Sequence, residues 1–204
     1  MGFYDRYCLP LVLDCACGLK PIRKQREKLL PMARGKVLEV GIGTGRNLAH
    51  YDAAQVDKIW GLDPATDMHR KARRRLADTG LDIEFMPLSA ETIPTDDARF
   101  DTVVLTYTLC SIPDPVAALK EMRRVMRPDG QLLFCEHGLA PDANVARWQQ
   151  RLTPAWRKIA GDCHMDRDIP TLLQSGGFTV ADLQQMYIPG PKVLSYNYWG
   201  RAGR

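Results

Sequence analysis

The chain has 204 residues, 45% of them apolar and 25% charged, with a formal net charge of +4. That size fits one domain whose core needs no disulfide or metal to hold it, and the composition excludes disorder, collagen and coiled coil. The longest apolar stretch, Cys8 to Leu19, is interrupted by Pro10 and Asp14 and falls short of the roughly 20 residues that a bilayer span needs.

The predicted elements alternate strand and helix from Lys36 onward. Lys36–Val40 is a short β run that ends in glycines. Asn47–Tyr51 reads as the start of a helix directly after them. Asp57–Leu62 is a second strand, and Asp67–Thr79 a charged helix that stops at Gly80. Asp82–Met86 is a third strand. Phe100–Thr106, the most apolar, reads as a central parallel strand. Pro113–Met126 places Val116, Leu119, Met122, Val125 and Met126 on one helical face. Gln131–Glu136 is a fifth strand, entered through the turn Pro128-Asp129-Gly130. Leu139–Asp168 reads as a helical insertion. Phe178–Ile188 and Val193–Trp199 read as a terminal hairpin around Pro189-Gly190-Pro191. The alternation predicts a parallel sheet with helices on both faces.

The informative motif is Glu39-Val-Gly-Ile-Gly-Thr-Gly45. Glycines at alternating positions after a strand let a ligand approach bare backbone, with helix N–H groups free for an anion. A dinucleotide loop would want glycine at 46, where Arg46 stands. A P-loop would close on Gly-Lys-Ser/Thr, which does not occur here. S-adenosylmethionine remains, whose methionine carboxylate needs the same backbone donors. Asp63 ends the second strand, 18 residues after Gly45, where a carboxylate can accept from both ribose hydroxyls.

Together with Gly61-Leu-Asp-Pro64, Ala90-Glu91, Phe100-Asp101 and Arg123–Leu132, this motif resembles the class I S-adenosylmethionine-dependent methyltransferases. The resemblance runs from about Lys36 to the end. It implies an α/β fold with a Rossmann-like, seven-stranded, mostly parallel sheet, order 3-2-1-4-5-7-6 with strand 7 antiparallel and helices on both faces. It also implies that Glu39, Gly41, Gly43, Thr44, Gly45 and Asn47 line the methionine part of the cofactor. Asp63 would hold the ribose, Pro64, Ala65, Ala90 and Glu91 would flank the adenine, and Thr106 would lie below the sulfonium.

For the acceptor half, Leu109-Cys110-Ser111, Phe134-Cys135-Glu136-His137, Trp148-Gln149-Gln150, Pro154-Ala155-Trp156 and Gly161-Asp162-Cys163 resemble the mammalian membrane-associated alkyl-thiol S-methyltransferases and their bacterial relatives. That resemblance implies a small thiol or sulfide as acceptor. Such an acceptor already carries some thiolate and can do without a strong base. Those mammalian proteins carry a long hydrophobic N-terminal anchor, whereas Cys8–Leu19 is short. It reads as a lid helix, with peripheral membrane contact through Lys20, Arg23, Lys24, Arg26 and Lys28 as the other role. The tentative acceptor-site residues are His137, Cys110 and Tyr107. His137 is equally open to a purely structural hydrogen bond, and Cys110 to apolar packing. Tyr4, Tyr7, Tyr107, Trp148, Trp156 and Tyr198 are candidates for an apolar wall. Cys110 and Cys163 are candidates for a soft ligand. Asp162-Cys163-His164 has no partner pair at zinc spacing, so no metal is assigned.

The fourth strand lacks the Asn/Asp-Pro-Pro-Tyr/Trp signature of amide and nucleobase nitrogen methylation. The cluster Arg70, Lys71, Arg73, Arg74, Arg75 has no interleaved aromatics to stack bases and reads as a solvated helix face, so no nucleic-acid partner is expected. The expected organisation is one domain over 1–204: N-terminal lid helices (1–35), a cofactor core (36–138), a helical insertion over the acceptor site (139–168), and a last helix with the hairpin (169–204). So small a cap favours a small acceptor. The expected activity is S-methylation of a small thiol or sulfide by in-line displacement. The alternatives are phospholipid-headgroup N-methylation, quinone C-methylation, or a non-catalytic S-adenosylmethionine-binding module. A monomer or homodimer is expected. Six cysteines without a CxxC pair, and a start without a signal-peptide pattern, point to reduced thiols in the cytoplasm.

Overall fold

A computed structural model describes residues 9–77 and 79–204. Tyr4, Tyr7 and Cys8 lie outside them. The order of elements is α1 (Leu9–Cys17), α2 (Lys20–Leu29), β1 (Gly35–Val40), β2 (Val56–Leu62), α3 (Thr66–Leu76), β3 (Ile83–Met86), β4 (Phe100–Thr106), α4 (Pro115–Val125), β5 (Met126–His137), α5 (Ala143–Ile159), α6 (Ile169–Ser175), β6 (Thr179–Tyr187), α7 (Lys192–Ser195) and β7 (Tyr196–Gly203). The strands form one seven-stranded sheet in the order β3-β2-β1-β4-β5-β7-β6. β1 to β5 run parallel, and β7 is antiparallel to both its neighbours. The predicted order and the reversed strand are both present.

Side chains alternate across a strand with period two, so one strand feeds two cores. Leu38, Val40, Val103, Leu105, Leu132 and Phe134 bury on one face, against Leu119 and Met122 of α4. Val37, Ile59, Val104, Leu133 and Cys135 bury on the other, against Leu29 and Leu30 at the end of α2. Helices cover both faces, which is why β4 reads as a nearly continuous apolar run. α4 forms where the sequence placed it. Asp114 caps the Ala117 N–H at 2.9 Å, Pro115 occupies the first turn, and Ala118, Leu119, Met122 and Val125 are buried.

Three expectations need correction. The helix expected from Asn47 to Tyr51 is only a 3₁₀ turn over Leu48–His50, and Tyr51 is already extended. The Asn47 and Tyr51 side chains are drawn inward to Glu39 instead, at 2.9 and 2.8 Å. The last strand begins at Tyr196 and not at Val193, because Lys192–Ser195 makes a single helical turn closed by the Ile188 N–H on the Ser195 carbonyl. Within Leu139–Asp168 only Ala143–Ile159 is helical; the flanks are loops, tied by the Leu139 N–H on the Arg167 carbonyl. Among the described residues, no helix is long and apolar enough to cross a membrane.

Candidate active site

The strand order reverses between β1 and β4, and the chain turns after the C-terminal ends of the parallel strands converge there. They enclose a cavity of about 610 Å³, within the range of small-molecule sites. The loop after β1 holds it open. Gly41, Gly43 and Gly45 have φ of +75°, +51° and +76°, a region that L side chains avoid. The three glycines do different work. A Cβ on Gly41 would strike the Thr108 side chain at 2.2 Å, and one on Gly45 would press into Leu48 and Ala72. Gly43 alone faces the cavity with room beside it: its nearest neighbours would be Met68 Sδ at 3.8 Å and Asp63 Oδ2 at 3.9 Å. Gly45 packs the loop onto α3 and does not line the cavity, unlike the other expected cofactor residues.

Asp63 ends β2. Its carboxylate accepts the Gly43 N–H at 2.9 Å and the Ala65 N–H at 2.8 Å, so it joins the glycine loop to the start of α3. Burial raises its pKa despite these donors, the mark of a carboxylate kept for a ligand or a structural network. Pro64, Ala65, Ala90 and Glu91 form the wall next to it. Glu39 and Thr106 lie deeper. Asn47 Nδ2 bridges them, donating to Glu39 at 2.9 Å and to Thr106 at 3.0 Å. Burial pushes the Glu39 carboxyl up to about 7, against the hydrogen bonds from Tyr51 and Asn47.

The N-terminal helices close the cavity. Leu9, Leu13 and Cys17, one helical face of α1, line it. Asp14, on the same helix, accepts from Thr44 Oγ1 at 2.6 Å, Arg46 Nε at 2.8 Å and Arg75 at 3.1 Å, with Lys71 at 3.3 Å. Burial raises the Asp14 pKa, but the bonds from Thr44, Arg75 and Arg46 outweigh it and hold the carboxyl well below the usual range. The helix expected to be a solvated basic face therefore spends Lys71 and Arg75 on this latch, and its Arg73 lies over the Phe85 ring. Arg26 of α2 is buried, donating to Asn47 Oδ1 at 2.9 Å and the Cys17 carbonyl at 2.7 Å.

The rest of the cavity lies beyond β4 and β5. Tyr107 adopts φ +52° and lines the cavity, but its hydroxyl is bonded to Asn197 and its ring sits under Arg26. Of the other candidate wall residues, Trp156 lines the cavity, Trp148 is exposed, and Tyr198 donates to the Leu139 carbonyl. Cys110, His137 and Cys163 meet at the cavity surface, with Cys163 Sγ 3.3 Å from His137 Nε2. Hydrogen bonds from Cys110 and His137 hold the Cys163 thiol below its ordinary range, and the Cys110 thiol is raised correspondingly. Burial lowers the His137 pKa, but its contact with Cys163 outweighs that and raises it.

The sequence gives Glu136 no role beyond its place in the Phe134–His137 block. It is fully buried and accepts the Thr108 N–H at 2.9 Å and the Leu109 N–H at 3.1 Å, which fixes the turn that carries Cys110. Burial pushes it up to about 7, against those two donors. A carboxyl raised on folding adds stability below its unfolded value, and that contribution is lost as pH rises through 7. We therefore expect Glu136→Gln to gain stability relative to the parent between pH 4.5 and pH 8, by roughly 2–3 kcal/mol. Urea midpoints at the two pH values check this, and a constant gap would contradict it. The signal available in the sequence was a charged residue closing an apolar strand. For Asp14 it was a single acid inside the apolar segment.

A seven-stranded sheet with one reversed strand, a glycine loop after β1 and an acid closing β2 define a class I S-adenosylmethionine-dependent methyltransferase. Residues 38–134 match the family described as a methyltransferase domain. Human thiol S-methyltransferase TMT1B is 33% identical over 203 residues, spanning 91% of this chain and 82% of that protein. The phosphatidylethanolamine N-methyltransferase of Cereibacter sphaeroides is 33% identical over 105 residues, 50% of this chain and 51% of that enzyme. The N-methyltransferase NodS of Bradyrhizobium japonicum, solved with S-adenosyl-L-homocysteine, superposes with a TM-score of 0.70 at 18% identity. It covers 97% of this chain and 92% of its own, a likeness of fold. The chain belongs to the family of S-adenosylmethionine-dependent methyltransferases that includes the thiol S-methyltransferases.

Proposed function

We propose that this methyltransferase moves the methyl group of S-adenosylmethionine to the sulfur of a small thiol or sulfide. One observation carries the choice of acceptor. The likeness to the human thiol S-methyltransferase extends over 91% of the chain, through the segment that supplies Cys163 and Trp156. The likeness to the lipid N-methyltransferase covers only half. Substrate choice is made in the acceptor half, so the longer likeness weighs more.

The cavity fits the cofactor. Bound there, S-adenosylmethionine supplies a methyl group on a positively charged sulfur. The open side of Gly43 would admit the ligand to backbone, Asp63 would accept from the ribose, and Pro64, Ala65, Ala90 and Glu91 would wall the base. The Glu39–Asn47–Thr106 network would hold the methionine end. α1 and α2 would act as a lid, anchored by Asp14 and Arg26. Excluding water favours the meeting of a cationic donor and an anionic sulfur, and holding both in line supplies the proximity the displacement needs. The reduced thiols of Cys110 and Cys163, close enough to interact, suit a reducing compartment such as the cytoplasm.

The test is a panel of sulfide, small alkyl thiols, phosphatidylethanolamine and a quinol, read by release of S-adenosylhomocysteine. Turnover on sulfide or an alkyl thiol is expected. Turnover on the lipid amine alone would reverse the choice of acceptor. Cofactor binding without turnover on any of the panel would point to a binding module.

A further inference from the structure

Three cavity side chains carry chemistry that the cofactor does not use. Cys110 follows β4, His137 ends β5 and Cys163 follows α5. Their two sulfurs and a ring nitrogen all lie within 4.8 Å of one another. The backbone beneath them is fixed independently. Glu136 holds the turn before Cys110 through Thr108 and Leu109, and the His164 N–H donates to the Cys110 carbonyl at 2.9 Å. Gly161 and Asp162 have φ of +61° and +60°, and Arg157 clamps Asp162 at 2.7 Å, so the loop that delivers Cys163 is set as well.

Two thiolates and an imidazole are the donor set of a borderline-soft divalent cation. Zinc with sulfur at about 2.3 Å and nitrogen at about 2.0 Å spaces its ligands roughly 3.5–3.8 Å apart, so side-chain adjustments well under a rotamer change close this cluster on an ion. Three protein ligands also leave one tetrahedral position open. Two protein thiolates neutralise the dication, and the Arg167 guanidinium, bonded to the Leu109 carbonyl, interacts with both cysteines.

We propose that Cys110, His137 and Cys163 bind a zinc-class divalent ion whose open position, facing the shared cavity, takes the acceptor sulfur as a thiolate. This rests on the thiol-acceptor reading above. Cys110 and Cys163 release their protons when the ion binds, and the acceptor thiol releases its proton to solvent when it joins them. The held sulfur then forms its bond to the methyl carbon as the carbon–sulfonium bond breaks, the electron pair staying on the cofactor sulfur. The ion and its ligands are unchanged, and the thioether product, a neutral and weaker ligand, departs.

The reduced, full-length protein titrated with Co²⁺ tests this. We expect one Co²⁺ per chain with a near-ultraviolet thiolate-to-cobalt band, displaced by Zn²⁺ and altered by ethanethiol. Cys110→Ser and Cys163→Ser should each weaken Co²⁺ binding at least tenfold while S-adenosylhomocysteine affinity holds, which also reports that they fold. His137→Gln, which keeps both sulfurs, should weaken it without abolishing the band. No band, or one that survives both serine variants, would overturn the site. Full thiol turnover by chelator-treated, metal-free protein would overturn it too, leaving the acceptor reading intact. A cobalt band that responds to ethanethiol, without methyl transfer to any thiol, would support the site and count against the acceptor reading instead.

Discussion

Gly43→Ala is expected to bind S-adenosylmethionine about 100-fold more weakly than the parent, yet to melt within a few degrees of it. The φ of +51° costs alanine about 1 kcal/mol, which for a chain of this size is roughly 2–4 °C. The fold has no other objection, because the nearest heavy atoms to the new methyl group stand at 3.8 and 3.9 Å. Those atoms belong to Met68, Asp63 and the Gly41 carbonyl, all cavity residues, so the methyl group occupies ligand space. Forcing an extra carbon into a fitted site costs about 1–3 kcal/mol, and 100-fold corresponds to about 2.7 kcal/mol. Gly41→Ala is the contrast. Its methyl group would lie 2.2 Å from Thr108, so stability should fall first. Calorimetric titration paired with thermal melting separates the two, and a Gly43→Ala protein of unchanged affinity would sink the placement of the ligand.

Asp63→Ala should weaken cofactor binding by about 1.5–3 kcal/mol, or roughly 10- to 150-fold, the scale of lost hydrogen bonds to a charged group. Two losses add here. The ribose hydroxyls lose their acceptor, and the Gly43 and Ala65 N–H groups lose the carboxylate that holds them at 2.9 and 2.8 Å. The second loss loosens the loop that meets the cofactor, so the effect should appear in affinity more than in global stability. Unchanged affinity by calorimetry would contradict the assignment.

The glycine loop and Asp63 were legible because backbone conformation and strand-end position are local properties, written within a few residues. The sheet order was available only through the family resemblance, since which strands pair is a long-range matter. The latch at Asp14 escaped because its partners Thr44, Arg46, Lys71 and Arg75 stand 30 to 61 positions away. Arg26 read as part of a basic surface and is instead buried against Asn47. Tyr107, a candidate for the acceptor site, lines the cavity, but its hydroxyl is occupied by Asn197, 90 positions later. The turn at Leu48–His50 defeated the helix expectation because buried polar partners, Glu39 above all, outbid local propensity. Cys110 and Cys163 read from the sequence as a pair for a soft ligand, but nothing in the spacing puts His137 beside them.

The most direct measurement is a crystal structure of the chain with S-adenosylhomocysteine. The ribose hydroxyls are expected on Asp63, the homocysteine end against the Glu39–Asn47 loop, and the sulfur turned toward the part of the cavity lined by Cys110 and Cys163. A ligand seated away from Gly43 and Asp63, or with its sulfur facing away from those cysteines, would contradict this placement.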